Sequence, residues 1–95
     1  MRRKAAPPRG CAELAAAPEA DPTPRTPQGC QECLELGVHT WANLRLCLDC
    51  GHVGCCDSSE YRHATAHYES AKHPVMRSFE PGETWRWCFV HSQLG

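Results

Sequence analysis

Between Cys47 and His73 the sequence reads CLDCGHVGCCDSSEYRHATAHYESAKH and carries Cys47, Cys50, Cys55, Cys56, His63, His67 and His73. With Cys30 and Cys33 upstream, thiols and imidazoles follow one another as C-x2-C, C-x2-C, C-x4-C, H-x3-H and a further His six residues on. These are the donors that tetrahedral Zn²⁺ prefers, at a knuckle spacing that lets two cysteines of one turn reach one ion. Eight of them are enough to close two zinc sites. Cys56, adjacent to Cys55, cannot easily join the same tetrahedron and reads as a small buried residue. His39 and His52 read as structural or exposed histidines.

Other chemistries use the same residue types and fit less well. His63-Ala64-Thr65-Ala66-His67 has the two histidines of a metalloprotease HExxH helix, but Ala64 stands where the general-base Glu is needed. A catalytic zinc also keeps an open fourth position, whereas ligands here are plentiful enough to close both sites. A thiol redox enzyme is disfavoured because neither CxxC pair opens a βαβ pattern. A secreted disulfide framework would require export, and Pro7, Pro8 and Arg9 break the basic start at Arg2, Arg3 and Lys4 before an apolar signal core can form. Without export the thiols stay reduced, which implies a cytoplasmic location. No run of 18 apolar residues exists to span a membrane.

The elements that must position these ligands are short. Residues 1–29 hold six of the eight prolines and Leu14 as the one large aliphatic side chain after Met1, so they read as a largely disordered tail, with the Cys11 region as a part that could dock. That leaves a domain over 30–95, too small to fold on apolar burial alone and in need of a staple. Alternation of apolar and polar residues predicts strands over Val38–Trp41 and Leu44–Leu48. Gly51 and Gly54 allow the tight turns of a metal-binding loop. Asp57, Ser58 and Ser59 offer N-caps to a main helix over Glu60–Ala71, which places His63 and His67 on one face. Val75–Phe79, a turn at Glu80-Pro81-Gly82-Glu83 and a return strand over Thr84–Val90 predict a hairpin with Trp85, Trp87 and Phe89 on one face.

The complete series is Cys30-x2-Cys33-x13-Cys47-x2-Cys50-x4-Cys55-x7-His63-x3-His67-x5-His73. In this order, and in the phrases CLDCGHVGC and HATAHYESAKHP, the chain resembles the UBP finger, the zinc finger of the ubiquitin carboxyl-terminal hydrolase type. The run Cys55-Cys56-Asp57-Ser58-Ser59 is similar to that of small stand-alone bacterial members. The resemblance implies an α+β fold, a twisted antiparallel sheet packed on one main helix. Spacing alone leaves the ligand pairing open, since His63 and His67 could share an ion. The resemblance implies one zinc on Cys30, Cys33, Cys55 and His63 and another on Cys47, Cys50, His67 and His73. Some family members hold a third zinc between a Cys-x-His and a Cys-x-x-Cys; the matching residues here are Cys11, Glu13, Cys88 and His91, with Glu13 and His91 departing from the pattern.

What the resemblance implies about function is a non-enzymatic module that binds an unknown protein or peptide. UBP fingers hold the free C-terminal tail of ubiquitin with an Arg just after the third-knuckle Cys-Gly and an aromatic near the last strand. Trp87, or Trp85 if the register slips, matches the aromatic. Asp57 stands in place of the Arg, which argues against ubiquitin-tail binding and for a cationic or neutral group at that spot. Trp85 and Trp87 also suit a purely structural place on the hairpin. Nucleic acid is the alternative partner. Residues 30–95 hold five Lys or Arg against eight Asp or Glu, so phosphate attraction would have to come from the basic N-terminus.

Overall fold

A computed structural model describes residues 11–95; the basic start at Arg2, Arg3, Lys4 and Arg9 lies outside the described residues. Five short strands, β1 (Leu44–Cys47), β2 (Val53–Cys55), β3 (Val75–Ser78), β4 (Arg86–Cys88) and β5 (Gln93–Leu94), form one antiparallel sheet in the order β2-β1-β3-β4-β5. Three helices accompany it: α1 (Ala12–Ala16), α2 (Gln31–Glu35) and α3 (His63–Ala71). The architecture is the expected α+β arrangement with one main helix.

The register separates two faces, because directly paired residues point to the same side of a sheet. Leu46 pairs with Val53 and with Arg77, and Arg77 pairs with Arg86, so these four share one face. Arg45 pairs with Gly54, and Met76 pairs with Trp87, which pairs with Leu94, on the opposite face. The first face carries the core: Leu44, Leu46 and Val53 pack with Cys30, Cys33 and Cys55, and Val38, Trp41 and Phe79 close over them. Half of the six core side chains are thiols. The second face receives α3, whose first turn sits directly on β2.

Local chemistry explains where elements begin and end. The hairpin between β3 and β4 turns at Glu80–Glu83, where the Glu83 N–H donates to the Glu80 carbonyl at 3.1 Å and Gly82 takes φ 82°, as its Pro-Gly pair predicts. Val38–Trp41 is not a strand. The Val38 N–H donates to the Cys33 carbonyl at 2.7 Å, and the Trp41 ring lies so close to Gly29 that a Cβ there would sit 2.3 Å from it. The apolar alternation there serves the loop that closes the first knuckle. The main helix starts at His63, three residues later than its predicted start, because Arg62 takes the left-handed conformation (φ 48°, ψ 50°). No side chain caps it. Ser59 is buried and accepts the Ala42 N–H at 2.8 Å, while Asp57 accepts the Thr65 hydroxyl at 2.5 Å.

Residues 11–29 run along the domain. Arg77 Nη1 meets the Asp21 carboxylate at 2.5 Å, Arg86 Nη2 donates to the Pro18 and Glu19 carbonyls at 2.8 and 3.2 Å, and the Arg25 N–H donates to the Gly51 carbonyl at 2.9 Å.

The approach of α3 to β2 depends on Gly54. A Cβ there would stand 2.6 Å from the Ala64 nitrogen, a backbone atom that cannot swing aside. Gly54→Ala is therefore expected to lower the stability of the zinc-loaded protein by about 1–3 kcal/mol through overpacking. Chemical denaturation measures this; an unchanged midpoint would contradict direct helix-on-strand packing.

Candidate metal centres

The first site is built from three separate elements. Cys30 is the N-cap of α2 and Cys33 lies inside that helix, so one turn presents both thiols, with the Cys33 N–H 3.5 Å from the Cys30 sulfur. Cys55 ends β2 and His63 begins α3; the His63 N–H donates to the Cys55 sulfur at 3.2 Å. His63 Nδ1 lies 3.2, 3.3 and 3.6 Å from the sulfurs of Cys30, Cys33 and Cys55, and Cys33 and Cys55 are 3.9 Å apart. A tetrahedron with Zn–S of about 2.3 Å and Zn–N of about 2.0–2.1 Å has donor–donor edges of roughly 3.5–3.8 Å. The four atoms already stand near those edges.

The second site joins the knuckle after β1 to the far end of α3. Cys47 and Cys50 flank a tight turn closed by the Gly51 N–H on the Cys47 carbonyl at 2.9 Å. Cys50 sulfur lies 3.4 Å from His67 Nε2, and Cys47 sulfur lies 3.5 Å from His73 Nδ1. Lys72 ends the helix in a left-handed conformation (φ 63°), which turns the chain so that His73 faces back. Thus His63 and His67 share a helix but serve different clusters.

The third cluster brings Cys11, Glu13, Cys88 and His91 together. Cys11 sulfur is 3.5 Å from Glu13 Oε1 and 3.4 Å from His91 Nδ1; His91 Nδ1 is 3.1 Å from Glu13 Oε1 and 3.8 Å from the Cys88 sulfur. In each of the three sets the donor atoms lie within 4.8 Å of one another, and each set could hold a zinc ion.

The electrostatics fit a cation. Burial, with the neighbouring thiols of Cys30 and Cys55, pushes the Cys33 thiol up to about 12, and burial raises Cys47 to about 11. Such thiols ionise at neutral pH only with a positive charge between them, which zinc supplies. Burial, with the charges of His52 and His73, pushes His67 down to about 4 and keeps the imidazole neutral, the form that binds metal.

His52 has a role that its sequence position does not disclose. It is 2% exposed, its Nε2 meets both carboxylate oxygens of Glu32 at 2.7 and 2.8 Å, and its ring stacks on His67 at 4.0 Å. Glu32 lies between Cys30 and Cys33, so this pair bridges the first knuckle to a ligand of the second site. Outer contacts of this kind orient ligand rings. Neither the spacing nor the residue types around His52 carry that signal.

The face opposite the core holds a cleft of about 330 Å³ whose lining includes Arg45, Cys56, Asp57, Trp85, Trp87 and Phe89. The Arg45 guanidinium lies over the Trp85 ring at 4.6 Å and its Nη1 donates to the Leu44 carbonyl at 3.0 Å. Asp57 is exposed and does not cap α3; its tie is to the Thr65 hydroxyl. Cys56 is 6% exposed at the cleft, with its N–H on the Asn43 carbonyl. Burial raises its thiol pKa, but the Ser59 hydroxyl, backbone contacts at Ser58 and Asn43 and the Arg45 charge outweigh that and leave it below the ordinary value.

Interleaved, closed Cys/His sets on a small sheet and helix define a zinc-binding finger domain. Over residues 30–93 the chain matches the family described as the Zn-finger in ubiquitin-hydrolases and other protein, and it belongs to that family, the UBP-type zinc fingers. It is 35% identical over 74 residues to BRCA1-associated protein of Mus musculus and of Homo sapiens. The likeness takes in 70% of this chain and spans 12% of the length of each of those relatives. The solution structure of protein RPA1320 from Rhodopseudomonas palustris superposes with a TM-score of 0.78 at 42% identity, over 90% of this chain and 79% of that one.

The assignment of Cys55 rather than Cys56 to the first site is directly testable. Cys55→Ser is expected to lose one zinc and several kcal/mol of folding free energy, because a structural site contributes an apparent ~10–16 kcal/mol. Cys56→Ser should keep the zinc content of the parent. Native mass spectrometry measures both; equal zinc loss in the two variants would overturn the ligand register.

Proposed function

We propose that this UBP-type finger is a non-enzymatic interaction module, working in the reducing cytoplasm, that takes a peptide segment of a partner protein into the aromatic cleft. The observation that carries this reading is the lining itself: Trp85, Trp87 and Phe89 on one wall and the exposed carboxylate of Asp57 on another. Aromatic rings in a concave site supply large apolar area at low entropic cost. The four-donor sets support the non-enzymatic part, since a catalytic zinc keeps one position for water or substrate. Ala64, in the general-base position of the HExxH comparison, is buried and carries no acid or base.

The cleft suits a cationic or neutral group better than a free carboxylate. Arg45 is the cation at the cleft, and its guanidinium is engaged by Trp85 and the Leu44 carbonyl. Asp57 has a neutral hydroxyl as its hydrogen-bond partner, so its charge is uncompensated there. A carboxylate about 4 Å from Asp57 would be repelled by ~4 kcal/mol at an effective dielectric near 20. A ubiquitin-type tail ending in free Gly-Gly is therefore a poor occupant. Nucleic acid is disfavoured as well: residues 30–95 carry more acid than base.

A titration of the zinc-loaded protein with a peptide ending in free Gly-Gly, read by tryptophan fluorescence, should give no saturation below about 100 μM, roughly −5.5 kcal/mol. In a pull-down from the source cell, the partner retained by the parent protein should be lost by Trp87→Ala at unchanged zinc content. Saturable Gly-Gly binding that amidation of the peptide abolishes, or a partner indifferent to Trp87, would overturn the reading.

A further inference from the structure

The third cluster differs from the other two in what it ties and in how it is built. The first two sets lie within residues 30–73, whereas Cys11, Glu13, Cys88 and His91 join the N-cap of α1 to β4 and the turn after it. From that junction residues 17–29 cross the face of the sheet that carries Arg77 and Arg86, opposite the cleft. Their ties to that face are exposed: the Arg77–Asp21 pair and the Arg86 bonds to the Pro18 and Glu19 carbonyls. Exposed pairs of this kind contribute little each. Further along, the Thr23 carbonyl lies over Gly51 so closely that a Cβ there would stand 2.3 Å away, and Arg25 donates its N–H to the Gly51 carbonyl. The strap's one large aliphatic contact is half-buried Leu14, which lies over Gly95.

The donor set of this cluster is two buried thiols, one carboxylate and one imidazole, and the His91 side chain is 50% exposed. Each of the other sets has at least as many thiols, and the first has three. A carboxylate and a half-exposed imidazole stand where the first set has a third thiol and the second has a second imidazole, and that open edge makes for a zinc that leaves more readily. We propose that Cys11, Glu13, Cys88 and His91 form a zinc-operated latch. An exchangeable zinc ion holds residues 11–29 as a strap across the Arg77/Arg86 face, and its departure frees the strap while the two-site domain stays folded. The occupant of the cleft does not enter this inference.

Arg25 is exposed and lies within the strap, so trypsin reports on it. Native mass spectrometry of the full chain in excess zinc should show three bound ions, and a weak chelator should remove one before the others. At that point cleavage after Arg25 should accelerate at least tenfold, with amide exchange of residues 44–78 unchanged. Glu13→Ala should bind two zinc ions, keep the same core protection and be cut rapidly at Arg25 whether or not zinc is in excess. A ceiling of two zinc ions in the parent protein, or equal cleavage at Arg25 in the two-zinc and three-zinc forms, would overturn the latch.

Discussion

Three thiols that are at most 1% exposed, those of Cys30, Cys33 and Cys55, occupy the centre of the small core and touch one another and His63. Left as neutral groups they are poor core material, since each is smaller than the aliphatic side chains beside it and offers a weak donor. Ionised around a divalent cation they would form a strong cross-link at the centre of the domain. The remaining apolar core is Leu44, Leu46 and Val53 with partly buried Val38, Trp41 and Phe79. A domain of this size buries too little surface to offset its conformational entropy, so metal binding and folding are one event.

Interleaving makes the two central sites depend on each other. The chain supplies Cys30 and Cys33 to the first, Cys47 and Cys50 to the second, then Cys55 and His63 to the first and His67 and His73 to the second. Closing either one fixes α3 against the sheet and pre-positions the other. The Glu32–His52 pair adds a direct path, because a side chain of the first knuckle holds the imidazole that stacks on His67. Gly54 lets the helix sit on β2, and the two left-handed residues Arg62 and Lys72 set where it begins and ends. These two backbone turns, rather than a side-chain N-cap, set the limits of α3.

Features governed by local rules could be read from the sequence, and those governed by tertiary partners could not. Strand β1, the β3–β4 hairpin with its Pro-Gly turn and the body of α3 follow from alternation, turn chemistry and composition. The ligand types and their order were equally legible, but their division into two sets came from the family resemblance, because spacing permits His63 and His67 to share an ion. Strands β2 and β5, of three and two residues, are too short for any periodicity, and α2 exists only as the turn that carries a knuckle. The seating of Ser59, His52 and Arg45 depends on residues distant in sequence: Ala42 for Ser59, Glu32 and His67 for His52, Trp85 for Arg45.

The central claim is that closure of the interleaved Cys/His sites is what folds residues 30–93. Removal of zinc by a strong chelator, followed by circular dichroism and amide exchange, tests it most directly. The account predicts a single cooperative loss of sheet and helix signal and of protection in β1, β3 and α3, reversed when zinc is restored. A metal-free protein that keeps its dichroism and its protected strands would contradict it.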